Sequence, residues 1–74
     1  MYEIYSKDAC PNCVTAASLA EAKGVEFKVL KLDKDYTRED LFSKAPSARA
    51  VPQVFKDGVL IGDLAAFRQH LVSV

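Results

Sequence analysis

Two cysteines dominate the chemistry open to this chain. Cys10 and Cys13 are its only cysteines among 74 residues, three positions apart in "YSKDACPNCV", with Pro11 and Asn12 between them and Lys7 just upstream. Such a pair can ligate a metal, staple the chain, pack inertly, or alternate between dithiol and disulfide. Structural zinc takes four ligands, and beyond the pair the chain offers one histidine, His70, distant in sequence. A metal would therefore need a second copy of the chain, and no metal ligand set is expected. His70 reads instead as a surface or packing residue near a helix C-terminus, where its cationic form is favoured. A staple at this spacing closes too small a loop to constrain the unfolded chain much. As inert thiols the two would behave as small hydrophobes, a reading the intervening proline argues against.

The redox reading rests on position. A free thiol, with a pKa of about 8.5, is mostly protonated at neutral pH, and the thiolate is the nucleophile. If Pro11 is the first helical residue, Cys10 is the N-cap, and its sulfur faces unpaired backbone N–H groups at the positive end of the helix. Both favour the anion. Lys7 adds a positive charge, which Asp8 opposes. Cys13 lies one turn further in on the same side, within reach of a disulfide and expected to be shielded from solvent. Cys10 then attacks a substrate disulfide and Cys13 resolves the mixed disulfide, leaving an intramolecular bond for another donor to reduce.

The elements that must position this pair follow from pattern. Tyr2 to Ser6 reads as a strand with Ile4 inward. Pro11 to Lys23 is rich in helix formers, carries Cys13, Ala16, Ala17 and Ala20 at helical spacing, and meets a C-cap at Gly24. Val25 to Leu32 is a β-rich run whose alternation slips at Leu30 and Leu32, predicting a strand kinked near its end. Thr37 and Asp40 form a capping box with Tyr36 and Leu41 at the staple positions, opening a helix that runs to about Ala45 and stops at Pro46. Pro52 to Phe55 and Val59 to Ile61 are strands joined around Asp57-Gly58. Asp63 caps a last helix striped by Leu64, Phe67 and Leu71.

This order predicts an α/β fold over one small domain, residues 1–74. A right-handed parallel crossover gains an antiparallel hairpin, giving a four-stranded mixed sheet (βαβ-α-ββα) with three helices. Ligands bind such sheets at the carboxyl ends of the parallel strands, and the first strand ends just before Cys10.

Composition narrows the partners. Half the residues are apolar and ten basic residues balance ten acidic ones, which argues for a compact globule over disorder. The basic residues are scattered, so no nucleic acid is expected, and no apolar run reaches the roughly 18 residues of a membrane span. "MYEIYSKD" lacks the pattern of a secretory signal. A cytoplasmic, reducing setting and a monomeric state are expected.

With "YSKDACPNC" after the first strand, "AVPQVF" opening the third and "IG" ending the fourth, the chain resembles a small dithiol glutaredoxin of the CPxC type, within the thioredoxin superfamily. Its brevity is similar to that of glutaredoxins encoded by bacteriophages. The resemblance implies a thioredoxin-like fold, Cys10 as nucleophile and Cys13 as resolving thiol, with Pro11 and Pro52 in support. It implies glutathione as co-substrate and no tightly bound cofactor. It implies a cis Val51-Pro52 bond, with the backbone of Val51 pairing an extended substrate.

Lys7 matches the basic residue that approaches the glycine carboxylate of glutathione, and Arg49 is a further charge. Asn12 stands where a tyrosine is common. "IGDLAAF" reads best as a short deletion, with Gly62 kept, a second glycine lost, and Asp63 as the capping aspartate; the loop that in the family holds the γ-glutamyl group of glutathione is then shorter than usual. Protein or glutathione-mixed disulfides, ribonucleotide reductase among them, are the implied targets. An NrdH-like redoxin reduced by thioredoxin reductase is the nearest alternative, although the tryptophan motif of that group is missing. From another class comes a metal- or iron-sulfur-binding module, against which Pro11 counts.

Overall fold

The computed structural model describes residues 1–46 and 51–73. β1 (Tyr2–Ser6) leads to α1 (Pro11–Lys23), β2 (Phe27–Lys31) and α2 (Arg38–Lys44); β3 (Gln53–Lys56), β4 (Val59–Gly62) and α3 (Leu64–Val72) follow. Among the described residues the strands form one sheet in the order β2-β1-β3-β4. β1 is parallel to β2 and antiparallel to β3, so Ile4 lies between Val29 and Val54, and β4 pairs antiparallel with β3. This is the mixed sheet that the order of elements predicts.

Period-two alternation divides the core into two layers. Tyr2, Ile4 and Val54 face α1 and α3, where Ala16, Ala20, Phe67 and Leu71 close over them. Tyr5 and Phe55 face the other way and pack with Tyr36, Leu41 and Ala45 around α2. The alanines of α1 let that helix lie close to the sheet. The slip in the β2 pattern has the same cause: Val25 and Phe27 pack on the first layer, Leu30 and Leu32 on the second. No kink is needed. The strand is nevertheless shorter than the predicted Val25 to Leu32, because the Val25 N–H still bonds the Ala20 carbonyl at the exit of α1 (3.3 Å), and Leu32 turns to bridge Tyr36.

Local signals place the helix ends. Gly24 takes φ 70° and returns its N–H to α1, a left-handed cap that glycine adopts without penalty. The Thr37 side chain accepts from the Asp40 N–H (3.2 Å) while Asp40 accepts from the Thr37 N–H (3.0 Å), completing the capping box. Asp57 and Gly58 both have positive φ, 51° and 85°, the geometry of a tight hairpin turn. No described helix is long and apolar enough to cross a membrane.

Phe67 is fully buried between the sheet and α1. Phe67→Ala is expected to destabilise the oxidised protein by about 3–5 kcal/mol, read as a lowered denaturation midpoint with an unchanged slope.

Tyr36 is buried in the second layer and donates its hydroxyl to the Ser6 carbonyl at 2.8 Å. Burial, then the neighbouring Tyr5 and Asp33, push its pKa above the usual 10.0. Folding thus favours the protonated phenol: its stabilisation is complete below the unfolded value and is lost as pH rises through the higher folded one. Lys44, raised mainly by its hydrogen bond to the Tyr5 hydroxyl, is lost over the same alkaline range. Tyr36→Phe is expected to cost about 1 kcal/mol at neutral pH and to flatten the fall in stability above about pH 10, as followed by denaturation at stepped pH.

Candidate active site

The last residue of β1 is held from three directions. The Ser6 carbonyl accepts the Leu32 N–H at 2.9 Å and the Tyr36 hydroxyl at 2.8 Å, while Ser6 Oγ donates to the Leu30 carbonyl at 3.1 Å. From this anchor three exposed residues, Lys7 to Ala9, carry the chain to the first helix. Ala9 makes the turn at φ 56°, a region uncommon outside glycine.

Cys10 is the N-cap of α1, extended at φ −116° and ψ 99°, and Pro11 is the first helical residue. Its sulfur accepts the Cys13 N–H at 3.2 Å. Thus one of the orphan donors of the helix N-terminus is satisfied by sulfur where serine or aspartate would ordinarily serve. Cys10 and Cys13 are joined as a disulfide, with Cα atoms 5.3 Å apart. Cys13 is 4% exposed and Cys10 8%. Cys13 is shielded as expected, and Cys10 is scarcely more open; what distinguishes the two is the cap.

Across from Cys10 runs the segment that opens β3. The Val51–Pro52 bond is cis, and the Val51 carbonyl oxygen lies 3.9 Å from Cys10 Sγ. In the disulfide this sulfur carries no proton, so that approach is a contact only. Pro52 is buried and Val51 half-buried.

The remaining predicted residues divide. Lys7 shares a groove with Cys10 and Cys13, and Asn12 is exposed on the first turn of α1. Gly62 and Asp63 form the corner between β4 and α3, where Gly62 pairs with Val54. Gly62 has φ 134°, and a Cβ there would stand 2.7 Å from the Ala66 Cβ, so the corner requires glycine. Asp63 caps α3, its Oδ1 accepting the Ala66 N–H at 3.0 Å, the N-cap that its residue type predicts. Arg49 lies outside the described residues. His70 is half-buried near the end of α3 and shares a 2.9 Å hydrogen bond with the Tyr2 hydroxyl. Among the described residues, no three His, Cys, Asp or Glu side chains gather into a metal-binding group.

Sequence reasoning missed Ser6 and the hydroxyl of Tyr36. Tyr36 registered only as an apolar staple, yet a buried tyrosine needs a partner for its O–H, and that requirement was the available signal.

Against known proteins, the glutaredoxin family model matches residues 2–61. The chain belongs to the glutaredoxin family. It is 38% identical over 60 residues to Glutaredoxin 3 of Escherichia coli (strain K12), covering 81% of this chain and 72% of that protein. Among solved structures, reduced E. coli glutaredoxin superposes with a TM-score of 0.84 at 28% identity, over 97% of this chain and 93% of that one. A buckwheat glutaredoxin in complex with glutathione shares the fold, with a TM-score of 0.81 at 23% identity over 97% and 69% of the two chains. The architecture is therefore thioredoxin-like, and the cysteine pair is the redox pair of a thiol-disulfide oxidoreductase family.

In the reduced protein, the backbone N–H groups around Cys10 favour its anion. Its thiol is expected to titrate below about 8.5, the free value. Thiolate ultraviolet absorbance against pH in Cys13→Ser, where Cys10 is the one remaining cysteine, checks it.

Proposed function

We propose that this glutaredoxin reduces protein and glutathione-mixed disulfides in the cytoplasm, with glutathione as the reductant that restores it. The observation that carries this reading is the placement of Cys10: its sulfur caps α1 and lies beside the Val51 carbonyl, already bonded to Cys13. The resemblance to a family with a glutathione complex among its structures supports the choice of co-substrate.

In the reduced protein the Cys10 thiolate attacks one sulfur of a substrate disulfide, and the other leaves as a thiolate that takes up a proton. The mixed disulfide is resolved when Cys13, after losing its proton, attacks the Cys10 sulfur and releases the second substrate thiol. Two electrons pass to the substrate and leave the Cys10–Cys13 disulfide. Two glutathione molecules then return them, through a glutathione mixed disulfide on Cys10, and depart as glutathione disulfide.

Each surrounding residue has a role in this scheme. The Val51 backbone pairs with an extended ligand as an added strand, with Pro52 setting its direction and Pro11 starting the helix. Lys7 meets a ligand carboxylate, and Asn12 flanks the ligand with an amide where an aromatic ring is common. Gly62 and Asp63 close the far end. Asp63 has committed one carboxylate oxygen to its helix cap and keeps the other for a ligand ammonium. Ribonucleotide reductase is among the targets that this chemistry suits.

A second reading, reduction by thioredoxin reductase, draws on exposed Asn12 and on the Gly62-Asp63 corner, where Asp63 already holds α3. Reduction of the oxidised protein by glutathione, compared with reduction by thioredoxin reductase and NADPH, separates the two. Glutathione is expected to be the faster donor; a rate dependent on the reductase alone refutes the glutathione assignment. Cys10→Ser is expected to lose activity by several orders of magnitude. Cys13→Ser is expected to retain it only where external glutathione resolves the mixed disulfide. Insulin reduction and glutathionylated-peptide turnover measure the two cases.

A further inference from the structure

A second approach to the dithiol opens on the side away from Val51. The buried stripe of α1 is Cys13, Ala16 and Ala20; the stripe beside it, Val14, Ala17, Ser18 and Glu21, faces the edge strand β2. Val29 lies opposite Ile4 and so points to the α1 face of the sheet. Ala17 and Ser18 are too short to cover it. The result is a groove of about 670 Å³ along α1 and β2, with Cys10 and Cys13 among its lining. Val14 is 66% exposed and Val29 37%, two β-branched residues uncovered beside a reactive pair. Val51, Pro52, Asn12, Gly62 and Asp63 do not line it.

Charge gives the groove a direction. Lys7 and Lys31 stand in its lining with the cysteines, Lys31 paired at 3.4 Å with a freely exposed Asp8, while Glu21 lies seven residues beyond Val14 on α1. The backbone edge of β2 beside Lys31 is closed, because Asp35 Oδ2 accepts the Lys31 N–H at 2.9 Å. An added strand is blocked there, so an occupant lies on the side chains. Seven helical residues rise about 10 Å, the length of roughly three extended residues.

We propose that this groove seats an extended segment of the target protein flanking its disulfide: acidic beside the cysteine, aliphatic at the centre over Val14 and Val29, and basic at the Glu21 end. The proposal rests on the redox reading above and adds the chemistry of the protein substrate. A segment so held reaches Cys10 from the flank opposite Val51, which leaves the Val51 side to glutathione; Lys7 sits where the two approaches meet.

The test uses a small peptide with an internal disulfide, with and without a five-residue tail reading Glu-Ser-Val-Ser-Lys, attached on either side. For the favoured attachment, the tail is expected to raise kcat/KM about five- to tenfold, the effect of seating one aliphatic side chain. The double variant Val14→Thr with Val29→Thr preserves shape and should lose that gain while reducing bis(2-hydroxyethyl) disulfide at the parental rate. Glu21→Lys should transfer the preference to a tail ending in glutamate. Independently of turnover, the cysteine-free tail peptide titrated into the oxidised protein should shift the NMR resonances of Val14, Ala17 and Val29. A tail effect that survives the double variant, or shifts that gather at Val51 and Gly62 instead, overturns the proposal. Failure of the wild type to reduce bis(2-hydroxyethyl) disulfide would instead refute the redox reading, and the titration would still decide the groove.

Discussion

The N–H of Cys13 points at the sulfur of Cys10, and most of the molecule exists to keep it there. A neutral thiol is a weak hydrogen-bond acceptor; an anionic sulfur is a strong one. Capping the helix and ionising the nucleophile are thus one interaction seen from two sides. Whatever holds the first turn of α1 in place also favours the thiolate, and whatever frays that turn returns the sulfur towards its proton. Pro11 contributes by fixing the first helical φ and removing a donor that would otherwise need a partner.

The sheet supplies the fixed frame. β1 is a central strand, covered on both faces and paired on both sides, and it ends in a residue whose carbonyl takes two hydrogen bonds and whose hydroxyl makes a third. The short run from Ser6 to Cys10 can then be exposed without letting the sulfur wander. Of the two elements bonding Ser6, β2 comes from the crossover and Tyr36 from the segment leading into α2. The second core layer is therefore tied to the reactive end of the molecule.

Features set by contacts within three or four residues were legible in the sequence. The Cys10 cap, the Thr37–Asp40 box and Asp63 depend on a side chain meeting nearby backbone, Pro11, Gly24 and the Asp57-Gly58 turn on the φ their residue types allow, and each stands where its residue type predicts. The strand order followed from the alternation of elements. What stayed hidden joins distant residues: the Tyr36 hydroxyl to the Ser6 carbonyl, the Tyr2 hydroxyl to His70, and the uncovered Val29. Such contacts leave no periodic trace, because apolar pattern records only that a residue is buried. The slipped alternation around β2 belongs here too, since Val25 and Phe27 pack on one layer and Leu30 and Leu32 on the other, and the sequence does not say where the second layer begins.

The carboxylate of Asp35, folded back onto the amide of Lys31, also bears on how copies of this chain treat one another. An edge strand with free amides is a template for the same strand in a neighbouring molecule, and such templating grows with crowding. β2 is an outer strand of the sheet, and its end lies beside the very cysteines that other proteins must reach. Blocking that amide from within leaves the side-chain surface open to foreign chains while withdrawing one donor from the row that a second copy of the strand would pair with.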